Sequence, residues 1–132
     1  MIKRTAPTDG YVALLAVLVV GAASLAIALT LLTTGADSQR AALVLQQSTQ
    51  ARSMASACAE EALQQMHDNT AFTGTNNLSL GQGTCTYTVA NTGGTSRTVD
   101  ASGTVGGVIR KVKAYATIGA SSISITSWQE VS

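Results

Sequence analysis

The sequence predicts an α+β fold: one long N-terminal helix, membrane-spanning in its first half and amphipathic in its second, packed on a small antiparallel sheet of about four strands. Three observations predict it. Tyr11 to Leu32 is an apolar run, and no charged residue occurs between Asp9 and Asp37. From Asp37 to about Asp68 strong helix formers dominate, with small and apolar residues recurring at steps of three and four. Beyond Asp68 the chain becomes rich in Gly, Thr and Ser, with apolar residues alternating as in half-buried strands.

The apolar run comes first. A helix of roughly 22 residues spans ~33 Å, enough to cross the ~30 Å hydrocarbon core of a bilayer. Lys3 and Arg4 precede it, which predicts a cytoplasmic N-terminus and an outward-facing chain after Ala36. A secretory signal reads differently, because its apolar core is only about 7–15 residues long. No cysteine closes the run, so nothing suggests a lipid anchor. The segments expected are a leader at 1–10, a membrane helix at 11–36, its amphipathic continuation at 37–68, and a β domain at 69–132.

The short basic leader ends in Gly10, Tyr11 is aromatic, and a long apolar helix passes into an amphipathic one. In that order of features the chain resembles a type IV pilin or minor pilin. The resemblance covers about the first 65 residues. It implies cleavage by a prepilin peptidase between Gly10 and Tyr11, N-methylation of Tyr11, and partners in the membrane and among other pilin subunits. It also implies transfer of the helix from bilayer to filament core, and thus a protein of the cell surface. One position departs from the family. Leu15 stands where pilins usually carry a glutamate that offsets a neighbouring subunit's N-terminal ammonium, and its absence is similar to the minor pilins. The small-residue patch Gly21-Ala22-Ala23-Ser24 is where bending costs least, and is similar to the segment that loosens as pilins enter a filament.

Along the second half of the helix, Ala51, Met54, Ala55, Cys58, Ala62 and Met66 share one face, with Arg52, Ser53, Ser56 and Glu60 on the other. That face needs a partner surface, and the strands supply it. Helical character is expected to fade at His67–Thr70, with His67 a surface residue favourable to the helix dipole. The next stretch, Thr73 to Gly83, reads as loop with a short strand at Leu78–Leu80. Asn77-Leu78-Ser79 matches the N-glycosylation pattern, a triplet frequent by chance.

Strand alternation places Cys85, Tyr87 and Val89 together, then Val99, Ala101, Gly103 and Val105, then Val112, Ala114, Ala116 and Ile118, with turns at Asn91–Gly94 and Gly106–Gly107. Ile123 and Ile125 begin a last strand. Trp128 falls on the opposite parity, so it faces outward unless a bulge shifts the register. The cysteines number two, both on the outward side, and Cys58 and Cys85 face one core; a Cys58–Cys85 disulfide is expected. Closing such a loop stabilises a small domain by ~3.5 kcal/mol in the chain-entropy estimate.

Site chemistry is sparse. The sequence holds one histidine and no nucleophile, phosphate-loop or metal-ligand pattern; no cofactor and no enzymatic activity are expected. Glu60 and Glu61 are adjacent on a helix, so their side chains diverge by about 100°. Lys111 and Lys113 share a strand face and offer at most a weak contact to DNA. The net charge of +1 sets aside a strongly basic nucleic-acid binder. Two functional readings remain: a structural filament subunit, and a single-pass anchored binding module with no filament role.

Overall fold

The computed structural model describes the chain from Pro7 to Ser132, with side chains from Gly10. Residues 1–6 of the leader, Lys3 and Arg4 among them, lie outside the described residues. One helix, α1, runs without interruption over Pro7–Asp68, and five strands follow: β1 (Gly74–Leu80), β2 (Gly83–Gly93), β3 (Ser96–Val105), β4 (Val108–Ile118) and β5 (Ile123–Val131). They pair antiparallel in the order β1-β2-β3-β4-β5, a meander of hairpins. The fold class is the one expected, with one strand more than the four the sequence suggested.

The chain falls into two compact units, Met1–Ala42 and Leu43–Ser132. Within the described part of the first, a single helical segment has every side chain exposed. In the second, the later half of α1 packs on one face of the sheet. Its buried face is made of Ala51, Ala55, Cys58, Ala59, Ala62 and Met66, each 0% exposed. Opposite lie Cys85, Tyr87 and Val89 of β2, Val99 and Ala101 of β3, and Val112, Ala114 and Ala116 of β4. Small residues on both layers let the helix backbone approach the sheet. At Gly103 an added Cβ would lie 2.6 Å from the Ala55 amide nitrogen and 2.8 Å from Met54 Cβ, and would also collide with the Ala51 carbonyl oxygen. Only glycine fits there.

The β3–β4 turn uses Gly106 and Gly107 at φ of 55° and 83°, the left-handed pair that suits a two-residue hairpin between twisted strands. At the far edge, the β4–β5 register shifts between Tyr115 and Ala116: Ala116 faces Ile125, whereas Tyr115 faces Ser127. Thr126 is the extra residue, and its hydroxyl donates to the Tyr115 carbonyl at 3.0 Å. The bulge resolves the parity of Trp128. It lies opposite Ala114, on the helix side of the sheet together with Ile125.

The strand β1 is the main departure from expectation. Only Leu78–Leu80 was anticipated, but pairing with β2 extends from Leu80 back to Gly74. Its sequence is poor in strand formers, and most of it is exposed. Side-chain bonds across the pair compensate: Thr75 with Thr88 at 2.8 Å, Thr86 to Asn77 at 2.7 Å, and Asn76 to the Tyr87 hydroxyl at 3.3 Å. Asn77, the glycosylation-like asparagine, thus sits inside a strand and accepts a hydrogen bond.

Candidate functional site: the apolar helix and the stapled sheet

From Tyr11 to Leu32 the helix exposes Val17 (70%), Leu18 (68%), Leu31 (67%) and Leu32 (70%) on several sides. Water does not favour so much uncovered apolar surface; an apolar solvent or other apolar helices do. The segment is long and apolar enough to cross a membrane. Its serine and threonine hydroxyls bond back to the helix's own carbonyls. Ser24 donates to the Val20 carbonyl at 2.8 Å, Thr30 to Ile27 at 2.8 Å, and Thr34 to Thr30 at 2.7 Å. In lipid such back-bonding removes the cost of an unpaired hydroxyl. The helix continues without a break through Thr33-Thr34-Gly35.

Gly10 and Tyr11 lie in this helix and are exposed, Tyr11 by 65%. A Cβ on Gly10 would meet nothing within 4 Å, so packing within the chain does not explain a glycine at that position. Leu15 is 43% exposed in the same apolar surface.

In the second unit, Cys58 and Cys85 form the expected disulfide, with Cα atoms 6.1 Å apart and a sequence separation of 27. It joins the middle of the packed helix to the start of β2, and both residues are buried. The two layers are therefore stapled through the centre of the core.

The basic residues of β4 do not form one patch. Lys111 and Lys113 share the open sheet face, as expected, and Lys113 is paired with Asp100 across β3 at 3.1 Å. The hydrogen bond and charge of Asp100 hold the Lys113 ammonium above its ordinary value of 10.5. Arg110 lies on the helix side, donating to Ser48 at 2.9 Å and standing 3.8 Å from Glu130. Arg52 reaches the same carboxylate at 3.2 Å. Glu60 is exposed, and Glu61 accepts from Gln65 one turn on; the two carboxylates do not converge.

Arg97 is a residue the sequence reading passed over. It is 8% exposed and has carbonyl partners: Gly94 at 2.9 Å, Ser96 at 3.1 Å and Thr70, just past the helix, at 3.3 Å. A guanidinium at this place complements the negative end of the helix and ties it to the β2–β3 turn. The signal was present: Arg97 continues the inward parity of Val99 and Ala101. His67 is exposed in the last turn, with Nδ1 3.5 Å from Asp68.

Compared with family models, with curated proteins and with solved structures, the chain matches none.

Proposed function

We propose that this chain is a structural subunit of a type IV pilus or related filament, a minor pilin-like component that is held in the membrane and assembled through its N-terminal helix. The observation that carries this reading is an uncharged apolar helix, exposed along its whole length, which runs unbroken into the helix that carries a disulfide-stapled sheet. An anchor needs only the first of these. A subunit that moves from lipid to a helix-packed filament needs a surface acceptable to both, and Tyr11–Leu32 offers one. Prepilin peptidase would cut between Gly10 and Tyr11, and the new amino terminus on Tyr11 would be methylated. Leu15 leaves that ammonium without the usual carboxylate, as in the minor-pilin group that the N-terminus resembles.

The test is the N-terminal residue of the protein in sheared surface filaments. Mass spectrometry is expected to find the chain there, starting at a methylated Tyr11. A chain absent from filaments, with Met1 retained in the membrane fraction, supports the anchored binding module instead. Replacing Gly10 by a bulky residue separates the two further: maturation of a filament subunit stops, and a plain anchor is unaffected.

A further inference from the structure

The last strand turns apolar side chains toward the helix layer yet leaves them half open. Ile125 is 48% and Trp128 41% exposed, although Ala116 and Ala114 directly opposite them on β4 are covered. The helix sits over β3, where Ala51 and Ala55 press on Gly103, and does not extend over the edge. Beside Trp128, Glu130 is shared by Arg52 and Arg110. Two guanidiniums against one carboxylate leave this rim with one positive charge. Tryptophan and arginine are both enriched at the energetic centres of protein interfaces. The bulge at Thr126 puts Ile125 and Trp128 on one face, and bulges recur where a strand must re-aim a side chain.

The same unit carries the complementary surface. On α1, Glu60 and Gln64 are exposed one turn apart, with the half-buried Glu61 beside them. Glu60 is exposed and makes no ion pair among the described residues. It stands eight residues beyond Arg52 along α1, about 12 Å, and forms no pair with the Arg52–Arg110 rim of its own chain.

We propose that the Ile125–Trp128 patch receives the outward helix face of a second copy of this chain, with that copy's Glu60 against Arg52 and Arg110. Two different surfaces meet, so the contact is heterologous and repeats from copy to copy rather than closing into a pair. It joins the sheet-bearing units and does not depend on the membrane helix or on the filament reading.

Trp128 is the chain's single tryptophan, so its fluorescence reports on this surface alone. In detergent micelles of the full-length protein, its emission is expected to shift to shorter wavelength as protein concentration rises, and less so at high salt. Arg52→Glu and Glu60→Arg should each move the midpoint of that shift roughly tenfold or more to higher concentration, the loss of one close charge pair across an interface. The double variant, carrying both changes, should bring the midpoint back. Glu60→Arg lies on an exposed helix position, so its effect is read without concern for folding. The proposal is overturned if emission is independent of concentration, if copies associate while Trp128 stays unchanged, or if the double variant is no better than either single one.

Discussion

At Gly103 the helix and sheet backbones come within the reach of a single methyl group. An added Cβ meets main-chain atoms of Ala51 and Ala55, which cannot swing aside as a flexible side chain would. Gly103→Ala is therefore expected to destabilise the domain by about 1–3 kcal/mol, the usual range for overpacking, seen as a lower urea midpoint with little change in slope. Replacing Cys58 and Cys85 together by serine acts through the unfolded chain instead, freeing a loop of 27 positions. That should cost about 3.5 kcal/mol, and unfolding the wild-type protein in the presence of reductant should reproduce the loss. On the open face, Lys113 titrates above 10.5 because Asp100 favours its charged form. A raised value in the folded state means that the pair's contribution is complete below pH 10.5 and is lost as pH climbs through the folded value. NMR titration of the Lys113 side chain should find its midpoint falling in Asp100→Asn, whereas an unchanged midpoint would show that the contact is not populated in solution.

Among the elements, those with strong periodicity were legible in the sequence. The alternation of Cys85, Tyr87 and Val89 and the three-and-four spacing from Ala51 to Met66 each specify a buried face, and those faces are the core. What the pattern could not specify was β1, since Gly74-Thr75-Asn76-Asn77 has neither strand propensity nor a buried face. Hydrogen bonds to β2 hold it, and they exist only once β2 has folded. The bulge in β5 was legible as an alternative but not as an outcome, because parity alone does not say where an extra residue is absorbed. Its geometry makes a clear prediction. Removing Thr126 leaves Ala116 opposite Ile125, Tyr115 opposite Ser127 and Ala114 opposite Trp128, now in regular register. Acrylamide quenching of Trp128 should be unchanged in that deletion. The edge, no longer bent by a bulge, should aggregate more readily on concentration, because bulges protect exposed edges from pairing. A Trp128 that becomes fully solvent-quenched would mean that the strand had slipped.

On the scale of the whole chain, the apolar helix and the disulfide make one joint claim. A disulfide forms and persists in an oxidising compartment, and Cys58 and Cys85 follow the membrane segment in sequence. Orientation should therefore decide whether the staple forms. Basic residues near the ends of a membrane helix favour the cytoplasmic side, and here Lys3 and Arg4 precede it while Asp37 and Arg40 follow. Replacing Lys3 and Arg4 by glutamate and adding lysines just after Ala36 should turn a fraction of the chains around. Those chains would carry their cysteines on the reducing side. Alkylation with a thiol reagent under denaturing conditions should label Cys58 and Cys85 in the inverted fraction and leave them unlabelled in the native protein. The inverted domain should also unfold at lower denaturant, by the same roughly 3.5 kcal/mol as the double serine variant. If the native chain already labels at both cysteines in cells, the sheet lies on the reducing side. The outward orientation, and with it the filament reading, would then have to be given up.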